Sequence, residues 1–564
     1  MGEAVPVEHI DAGRRRAVAE ALRAGLPARA VLHEEEDTRP YECDGLTAYR
    51  RLPMVVALPE DEEQVRHVLR TCAAMDIPVV PRGAGTGLSG GALPLANGVL
   101  LSMAKFMRVL RIDPQARVAV VQPGVRNAAI SDLAAPFGLY YAPDPSSQIA
   151  CSIGGNVAEN SGGVHCLKYG LTVHNVMRVR GYTIAGEPVE FGSEALDAPG
   201  YDLLALAIGS EGLLAVITEV TVKLLPVPPL ARVVMASFDD VEKAGAAVAA
   251  VIAEGIVPAG LEMMDRQATG AAEEFVRAGY DTGAAAILLC ESDGTPEEVE
   301  EEIARIKDVL ARAGATHMRV SRDEGERLKF WSGRKAAFPA VGRLSPDYYC
   351  MDGTIPRRRL GEVLRFISAL EDKYGLRCPN VFHAGDGNLH PLILFDANNA
   401  DELQRTERFA AEVLEKCIEV GGTITGEHGV GVEKIDQMCV QFQPEELATF
   451  HAVKRVFDPR GLLNPGKAIP TPVRCAEFGR MRVHSSAPKF PDLKARQSPS
   501  GSMLTVQGTP GSISGPIRRD RIPRASPTAP EVSPPERRPP MASISSIKIR
   551  QGVLFLASWN SSRT

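Results

Sequence analysis

The sequence predicts an α+β protein with more than one domain and a disordered C-terminal tail, on three observations. Its 564 residues exceed the span of a single hydrophobic core, about 250–300 residues. Strand-sized apolar runs are interspersed with amphipathic stretches of helical period, and no internal repeat is present. From about residue 487, Ser, Pro, Arg and Gly dominate and this periodicity disappears, so segment 487–564 cannot bury enough apolar surface to fold.

Each predicted element rests on its local pattern. Helices are assigned where apolar residues recur with helical period, and strands where short apolar runs stand between turn-forming residues. In chain order the clearest are helix 60–75, strands 77–80, 99–102 and 284–289, helix 297–313, strands 381–383 and 389–395, and helices 401–420 and 445–457.

Composition and charge exclude several classes of protein. The formal net charge of -7 leaves no basic surface for nucleic acid. The N-terminus, MGEAVPVEHIDAGRRRAVAEALRAG, places acids before arginines and lacks the apolar run of a secretory signal. No stretch approaches the roughly 18–20 apolar residues of a membrane-spanning helix. We therefore expect a cytoplasmic protein, or one held at the inner face of the cell membrane through partner proteins.

The 10 cysteines are scattered, and none forms a C-x-x-C pair. Iron–sulfur clusters and structural zinc sites usually require such close spacing. We therefore expect free thiols, most of them buried, and no iron–sulfur cluster within this chain. A redox function would then depend on electron carriers outside the chain.

A glycine-rich loop follows the strand predicted at 77–80. It reads Pro81-Arg82-Gly83-Ala84-Gly85-Thr86-Gly87, and its glycines let backbone amides approach a pyrophosphate closely. Residues 85–90 also match the dinucleotide-binding pattern G-x-G-x-x-G, but that site requires a helix directly after the loop. Pro94 and Asn97-Gly98 indicate a further loop and then a strand instead. The Rossmann interpretation therefore fails on context.

Two more glycine clusters follow, and together the three resemble a known family. They are residues 152–163, SIGGNVAENSGG, and residues 209–219, GSEGLLAVITE, with Pro143-Asp144-Pro145 ahead of the second cluster. From about 51 to 467 the chain resembles the vanillyl-alcohol-oxidase, or p-cresol-methylhydroxylase, family of flavoproteins. The resemblance implies a two-part FAD-binding domain of that type and an α/β substrate-binding cap domain with an antiparallel sheet.

In that family the glycine clusters and a closing motif, here Asn464-Pro465-Gly466-Lys467, surround the flavin. The resemblance assigns FAD contacts to Pro81, Arg82, Gly83, Ala84, Gly85, Thr86, Gly87, Pro145, Gly154, Gly155, Asn156, Asn160, Gly163, Glu211, Gly212, Ile217 and Asn464. Relatives with covalently attached flavin often carry a histidine in the first loop, where this chain has Ala84, Gly85 and Thr86. We therefore expect non-covalent FAD.

The resemblance also divides the chain into domains. We expect an N-terminal helical extension (1–50), an FAD-binding domain (51–226), a substrate- and metal-binding cap domain (227–440), helices that return to the FAD-binding domain (441–486) and the disordered tail (487–564). The tail has no counterpart in the family.

Two histidines flank a predicted turn in the second half of the chain. Asp386-Gly387 is a strong two-residue hairpin signal, and a turn centred there pairs His383 with His390. Directly opposed residues share a face with Cβ atoms about 4.5–5.5 Å apart, so both imidazoles can reach one metal ion. Glu427 can complete a site of two histidines and one carboxylate, and the adjacent His428 suits a general base. Singly, such residues are also common as structural or surface groups.

Together these residues match the 2-hydroxyacid dehydrogenase branch of the family. The resemblance implies that His383, His390 and Glu427 hold a divalent metal, which nitrogen and carboxylate ligation leaves open among zinc, manganese and iron. It also implies that His428 is the catalytic base.

The same branch suggests how the substrate is bound. Arg334, in Trp331-Ser332-Gly333-Arg334, is expected to clamp the substrate carboxylate with its planar guanidinium. Phe338, Tyr349 and Leu392 stand where relatives acting on dicarboxylates carry polar groups. The resemblance therefore favours a small monocarboxylate, glycolate or D-lactate.

Segments 338–343, 348–356 and 474–480 are similar to glycolate-oxidising members of this branch. The resemblance implies oxidation of a small 2-hydroxyacid to the 2-oxoacid, with hydride transfer to flavin N5 and electrons passed to partner subunits or quinone. In a glycolate oxidase complex these partners are an iron–sulfur subunit and a second flavin-type subunit. A stand-alone D-lactate dehydrogenase and a non-catalytic flavoprotein subunit are the alternatives. A metal-dependent hydrolase would use the histidines but not the glycine clusters.

Overall fold

The computed structural model describes residues 11–195 and 200–477, and the predicted tail (487–564) lies outside them. Within these ranges, no helix has the length and apolar character needed to cross a lipid bilayer. The chain forms a first lobe (residues 11–226), a second lobe (residues 227–443) and a closing segment (residues 444–477).

The first lobe contains short helices and strands. Its helices are α1 Ala12–Arg23, α2 Glu35–Thr38, α3 Glu62–Met75, α4 Asn127–Ala134, α5 Ile153–Glu159, α6 Cys166–Tyr169, α7 Thr172–Asn175 and α8 Leu203–Ala207. Its strands are β1 Val31–Leu32, β2 Val55–Ala57, β3 Val79–Arg82, β4 Val99–Ser102, β5 Val109–Asp113, β6 Val118–Val121, β7 Leu139–Tyr140, β8 Val176–Tyr182, β9 Pro188–Gly192, β10 Val216–Lys223 and β11 Leu225–Pro226.

Two sheets organise this lobe. In one, β2, β4 and β3 run parallel and β1 joins β2 antiparallel. The other is antiparallel, in the order β5-β6-β10-β8-β9. Helix α3 covers the first sheet because Val65, Val68 and Leu69 recur at helical spacing and pack into one core with α1 and β2. Residues 12–32 are therefore part of this core.

The second lobe has longer helices and strands. Its helices are α9 Val241–Ala253, α10 Arg266–Val276, α11 Pro296–Arg312, α12 Glu324–Lys335, α13 Ala337–Val341, α14 Leu360–Tyr374, α15 Ala400–Glu419 and α16 Ile435–Gln441. Its strands are β12 Leu230–Phe238, β13 Gly260–Asp265, β14 Ala286–Gly294, β15 His317–Val320, β16 Asp347–Cys350, β17 Val381–Phe382 and β18 Leu392–Phe395. The closing segment contributes α17 Pro444–Phe457 and α18 Pro472–Glu477.

One antiparallel sheet, in the order β15-β12-β14-β13-β17, is the centre of the second lobe. Both of its faces are apolar, with side chains alternating along each strand. On β12, Val234 and Ala236 pack with α9, α11 and α14, whereas Val233 and Met235 pack with α10, α12 and α13. Val164 of the first lobe joins the second of these cores. Leu46 of the first lobe joins the other core, so the first lobe contributes to both.

The closing segment returns to the first lobe and is tied to the second. Leu463 pairs with Val79 of β3 in a parallel bridge. Cys475 of α18 forms a disulfide with Cys439 of α16, with Cα atoms 5.4 Å apart. The expectation of free thiols is wrong for this pair, because only the packing of α18 against α16 brings together residues that are 36 positions apart. The other cysteines are free and, except for Cys43, buried.

Most predicted elements lie close to the observed ones. Helices predicted at 60–75, 297–313, 401–420 and 445–457 match α3, α11, α15 and α17 to within two residues, and strand 99–102 is β4. Strand 77–80 begins two residues later than predicted, because the Ile77 N–H closes α3 by donating to Cys72 O at 2.9 Å. Strand β14 extends beyond the predicted 284–289 through the buried polar residues Glu291 and Asp293.

Candidate functional site

A cavity of about 490 Å³ lies where the glycine clusters of the first lobe face the second lobe. This volume is in the range of small-molecule and cofactor sites. The wall from the first lobe, the glycine wall, is formed by segments 81–92, 145–161 and 207–217. The wall from the second lobe, the side-chain wall, is formed by residues 335–348 and by His383, His390, Glu427 and His428.

Strand β3 delivers the first glycine loop to the cavity, and every residue from Pro81 to Gly87 lines it. Arg82 is fixed there, because its Nη1 donates to Cys43 O at 2.7 Å and its guanidinium lies over the Tyr41 ring. Gly85 has a φ of 73°, and a Cβ at this position would lie 2.2 Å from the Arg82 guanidinium. The next helix, α4, begins only at residue 127, which confirms that the loop is not a Rossmann site.

Helix α5 and strand β10 bring the other two clusters to the cavity. Gly154, Gly155 and Asn156 line it from α5, Pro145 from the preceding loop, and Glu211, Gly212 and Ile217 from the third cluster. Glu211 also accepts the backbone N–H groups of residues 430 and 431, each at 2.7 Å. Burial raises the pKa of Glu159, and the neighbouring Glu211 raises it further.

Three predicted FAD contacts do not line the cavity but support the glycine wall from behind. Asn160 ends α5 with a φ of 56°, and its Oδ1 accepts the Val173 N–H at 2.9 Å. Gly163 packs against the backbone of the loop before the second cluster. Asn464 Nδ2 donates to a carbonyl oxygen in each of the first and third clusters. Long-range contacts of this kind leave no local signal in the sequence.

The two histidines converge on Glu427. His383 Nε2 and His390 Nε2 each lie 3.0 Å from Glu427 Oε1, and the three groups can present ligand atoms within 4.8 Å of one another. The predicted hairpin register is wrong, since His383 pairs with Asn388 and the turn occupies residues 384–387. The difference is two residues. An even shift keeps side chains on the same face, so both imidazoles still reach one carboxylate.

Contacts from neighbouring segments explain this register. The Gly387 carbonyl accepts the Ile355 N–H at 3.0 Å, and the Gly385 N–H donates to Leu261 O at 2.8 Å. Both backbone groups are therefore engaged with other segments, and the Asp386-Gly387 pair cannot form the predicted two-residue turn.

The Nδ1 atoms of both histidines are held by buried acceptors. His383 Nδ1 lies 2.8 Å from Glu262 Oε1 on β13, and His390 Nδ1 lies 3.1 Å from Met351 O. Such partners fix a histidine ring with its Nε2 directed to a metal. Burial would raise the pKa of Glu262, but His383 and Arg334 outweigh burial and lower it.

Arg334 does not line the cavity, and within the described residues its buried Nη1 atom has no hydrogen-bond partner. Its side chain is fully buried, its Nε donates to Glu262 Oε2 at 2.8 Å, and its Nη2 lies 2.7 Å from the same oxygen. It lies one helical turn beyond Phe330 and Trp331, on the face of α12 that packs into the second lobe. The next residue, Lys335, lines the cavity instead. The sequence motif predicted a basic residue on this helix, but it could not specify which basic side chain lines the cavity.

The loop that carries Glu427 and His428 is held by Asp352. This buried carboxylate accepts the N–H groups of residues 426, 427 and 428 at 2.9–3.2 Å, and Lys434 Nζ lies 3.3 Å away. Burial opposes its charge, but His428 and Lys434 lower the pKa of Asp352 below its ordinary value. An ionised carboxylate therefore fixes the backbone from which both side chains project.

His428 lines the cavity and stacks on His390, with ring centroids 4.8 Å apart. Within the described residues its buried Nδ1 has no hydrogen-bond partner. Burial lowers the pKa of His428 to about 4. The imidazole is therefore neutral at neutral pH and can accept a proton.

Aromatic side chains border the histidines. Phe338 lies 6.1 Å from Tyr348 and 6.3 Å from His390, measured between ring centroids, and both Phe338 and Tyr348 line the cavity. Tyr349 and Leu392, which were expected here, are buried in the second lobe away from the cavity. Consecutive residues of a strand face opposite sides, so Tyr348 of β16 takes the place predicted for Tyr349.

An ion-pair cluster joins the two lobes beside the cavity. His165 of the first lobe places Nδ1 2.9 Å from Asp144 Oδ2 and Nε2 3.1 Å from Glu291 Oε1 of β14. Burial opposes a charge on His165, but Asp144 and Glu291 outweigh it and raise its pKa to about 10. Burial likewise opposes the charge of Glu291, yet His165 and Arg327 lower its pKa to about 2.

Several cavity residues were not predicted from the sequence. Asp44 reaches the cavity from the N-terminal segment, where its Oδ2 accepts the Ala92 N–H at 3.2 Å. Glu159, Lys335 and Tyr348 also line it. Of these residues, Glu159 could have been identified from the sequence, because it is an acidic residue within the second glycine cluster.

Two family models match most of the segments that line the cavity, although neither includes Asp44 or residues 207–217. The FAD binding domain model matches residues 53–192, and the model for FAD linked oxidases, C-terminal domain, matches residues 227–468. The glycolate oxidase subunit GlcD of Escherichia coli K12 is 62% identical over 480 residues, which cover 85% of this chain and 96% of that protein.

This chain belongs to the FAD-linked oxidase family.

Other relatives of this oxidase act on hydroxyacids by name. The glycolate oxidase subunit GlcD of Bacillus subtilis 168 is 37% identical, over 76% of the oxidase and 91% of that protein. The D-lactate dehydrogenase of Anaerostipes hadrus is 33% identical, over 78% of the oxidase and 95% of that protein. The chain is an FAD-dependent oxidoreductase of hydroxyacids.

Solved structures confirm the predicted fold class. The oxidase superposes on p-cresol methylhydroxylase with a TM-score of 0.70 at 17% identity, covering 82% of this chain and 98% of that one. For 4-ethylphenol oxidase from Gulosibacter chungangensis the TM-score is also 0.70 at 17% identity, with coverage of 83% and 99%. The FAD-binding domain is thus of the p-cresol-methylhydroxylase type, beside a lobe with an antiparallel sheet.

The glycine wall fits FAD. A Cβ on Gly87 would meet no protein atom within 4 Å, so the backbone of the first loop borders open space. Backbone amides that border open space are what a cofactor with a pyrophosphate can engage.

Proposed function

We propose that this oxidase converts a small 2-hydroxyacid, glycolate or D-lactate, to the 2-oxoacid. One observation carries the proposal: His383, His390 and Glu427 converge beside His428 on a cavity whose opposite wall is built from three glycine clusters. A flavin site alone would not require the first group, and a hydrolase would not require the glycine clusters.

FAD held without a covalent link by the glycine wall supplies the two-electron, hydride-accepting chemistry. His428, whose side chain lines the cavity, takes the proton of the substrate hydroxyl. Asp352 holds the His428 backbone so that the ring stays against His390. Phe338 and Tyr348 exclude water from the substrate's side of the cavity.

His383, His390 and Glu427 would hold a divalent metal, zinc, manganese or iron, because two imidazoles and a carboxylate are a common donor set for these ions. Such an ion supplies Lewis acidity toward the substrate hydroxyl and carboxylate. Glu262 and Met351 O support this assignment, since each holds the Nδ1 side of one histidine.

The electron acceptors lie outside the chain in this proposal. The relatives named glycolate oxidase subunit support a complex, in which iron–sulfur and second flavin-type subunits accept the electrons or pass them to quinone. A stand-alone D-lactate dehydrogenase is the second candidate, favoured by the 33% identity to the enzyme of that name. Co-purification from the source cells separates the two.

Anaerobic bleaching of the flavin band tests the proposal. The purified, metal-loaded protein is mixed separately with glycolate and D-lactate, and the visible absorbance is followed. We expect either acid to bleach the flavin, with the better substrate reacting faster. A yellow protein that only dithionite reduces would contradict the proposed reaction and favour a non-catalytic flavoprotein subunit.

Metal removal tests the second part of the proposal. Chelation should abolish bleaching by hydroxyacid while leaving dithionite reduction and FAD content unchanged, and added metal should restore bleaching. Glu427→Gln should lose bound metal, measured by elemental analysis, whereas Glu419→Gln on the exposed end of α15 should not. Full bleaching in a metal-free protein would contradict the role of the ion.

A further inference from the structure

Two carboxyl groups that the proposed reaction does not use stand together in the lining of the cavity. Glu159 is the last residue of α5 and Glu211 belongs to the third glycine cluster, so both belong to the glycine wall. A Cβ added to Gly429 would lie 2.0 Å from Glu159 Oε2 and 3.0 Å from Glu211 Oε1. The two oxygens are therefore close neighbours, at the point where the glycine wall meets the loop that carries His428.

The two groups differ in their hydrogen bonds. Glu211 is 5% exposed, and its two oxygens accept the N–H groups of residues 430 and 431, each at 2.7 Å. Such bonds favour the ionised form of a carboxyl group. The Glu159 Oε2 atom is buried and, within residues 11–195 and 200–477, has no hydrogen-bond partner. An ionised Glu159 would leave this oxygen without a donor, whereas a protonated one is itself a donor that can share its proton with the carboxylate beside it.

The nearest positive charges are committed to other partners. Lys434 and Lys467 are the ammonium groups whose charges reach Glu159. Lys434 Nζ is held by Asp352 at 3.3 Å, and Lys467 Nζ donates to the carbonyl oxygens of residues 91 and 93 at 2.9 and 2.5 Å. In the part of the chain that the structure describes, neither ammonium forms an ion pair with Glu159. Asp44, which also lines the cavity, adds a further negative charge.

Burial and charge act in the same direction on Glu159. Burial raises the pKa of its carboxyl group, and the charges of Glu211 and Asp44 raise it further against the opposing effect of the two ammonium groups. Burial also lowers the pKa of Lys467 to about 7, which weakens one of those ammonium charges at neutral pH. Two neighbouring carboxyl groups in one buried site do not readily ionise together. The pair therefore retains a proton at a pH where an exposed glutamate has lost it.

We propose that Glu159 is a protonated carboxylic acid that shares its proton with Glu211 and sets the pH dependence of flavin reduction. This role requires FAD in the cavity but no particular hydroxyacid, so it goes beyond the proposed function. Hydride transfer brings two electrons and one proton, and it therefore adds one negative charge to the cavity. A neutral Glu159 tolerates that charge, whereas an ionised Glu159 opposes it. Above the pH at which Glu159 ionises, reduction is therefore coupled to the uptake of one solvent proton by this carboxyl group.

The test measures the reduction potential of the bound flavin over a series of pH values. The FAD-loaded protein is titrated anaerobically with dithionite beside a reference dye, so the result does not depend on the substrate. The variants are Glu159→Gln and Glu211→Gln, and Glu187→Gln, at an exposed position between β8 and β9, is the matched control. Glutamine has the shape of glutamate, so Glu159→Gln should fold and retain FAD. Infrared spectra of the same proteins report the C=O stretch of a protonated carboxyl group.

We expect the wild-type potential to fall more steeply with rising pH than that of Glu159→Gln. The difference should correspond to one further proton, a tenfold change in the reduction equilibrium per pH unit, or about 30 mV for a two-electron couple. Glu159→Gln should also lack the infrared signal of one protonated carboxyl group. Glu211→Gln should move the steep region to lower pH, because Glu159 ionises more readily without the neighbouring charge. Glu187→Gln should behave like the wild type.

Equal slopes in the wild type and in Glu159→Gln would overturn the proposal and leave Lys467 as the group that titrates. Identical infrared carboxyl signals in these two proteins would also overturn it, since Glu159 would then be an ionised acceptor. A protein that shows the expected slopes but is bleached by neither hydroxyacid would refute the proposed function and sustain the proton-holding pair. The two failures are therefore distinguishable.

Discussion

The glycine wall and the side-chain wall recognise their ligands by different means. The glycine wall presents main-chain atoms from three segments that each form a local turn or helix start. The side-chain wall presents imidazoles and carboxylates, each held by a residue far away in the chain, such as Glu262 for His383 and Asp352 for His428.

This difference determines which kind of substitution disrupts each wall. A backbone surface is damaged by an added side chain and is insensitive to charge. A wall of buried polar side chains is damaged when one member of a network is removed, because its partner stays buried without compensation. Variants in one wall should therefore leave the ligand of the other wall bound.

The largest separation is expected for His428→Ala. Removal of a general base should slow hydroxyacid-driven bleaching by roughly 10²–10⁴-fold, measured by anaerobic stopped flow, while FAD content stays unchanged. The exposed His317→Ala on β15 is the matched control and should react like wild type. An unchanged bleaching rate in His428→Ala would remove this residue from the mechanism.

Asp352→Ala should reduce the free energy of unfolding by about 3–5 kcal/mol, because it removes one of the two carboxylates beside the buried Lys434 ammonium and the acceptor of three loop N–H groups. Chemical denaturation followed by far-UV circular dichroism measures the change. Asp372→Ala, at an exposed position of α14, should alter stability by less than about 0.5 kcal/mol. Equal stabilities would show that the loop carrying Glu427 and His428 does not depend on Asp352.

Gly154→Ala should disturb the glycine wall and leave the side-chain wall intact. The added Cβ would lie 2.5 Å from Pro123 Cβ, so the start of α5 must move away, at a cost of about 1–3 kcal/mol. We expect a lower FAD content after purification and an unchanged affinity for the metal. Gly270→Ala, where a Cβ meets no atom within 4 Å, is the control. Loss of metal affinity in Gly154→Ala would mean that the two walls are not independent.

The smallest effect is expected at the cluster that joins the walls. His165 has a folded pKa of about 10 against an ordinary value of 6.5, so its contribution to stability is complete below pH 6.5 and is lost as the pH rises through 10. Glu291 has a folded pKa of about 2 against 4.5, so its contribution is present above pH 4.5 and is lost as the pH falls through 2.

His165→Gln should therefore lower stability by about 1.5 kcal/mol near pH 6, and the difference from wild type should shrink toward pH 10. Urea denaturation at a series of pH values measures it, with the exposed His317→Gln as control. A difference that is constant over this pH range would contradict a charged His165.

The glycine wall was largely predictable from the sequence, because glycine spacing reports local backbone geometry. The side-chain wall was predictable in its chemistry but not in its directions. Tyr348 instead of Tyr349, and Lys335 instead of Arg334, differ by a single position, and that choice depends on how β16 and α12 pack. The prediction that His383 and His390 share a face holds despite the wrong register, because the register differs by an even number of residues. Residues such as Glu262 and Asp352 gave no signal, since their partners are more than 70 positions away.

The N-terminal segment has a practical consequence for dissecting this protein. The family match to the FAD binding domain begins at residue 53, yet α1 packs in the core of the first lobe, β1 extends its sheet, and Asp44 lines the cavity. A truncated chain that starts at the match would lose an edge strand and the acceptor for the Ala92 N–H. Domain limits drawn from the match alone would therefore remove part of the core of the first lobe and part of the cavity lining.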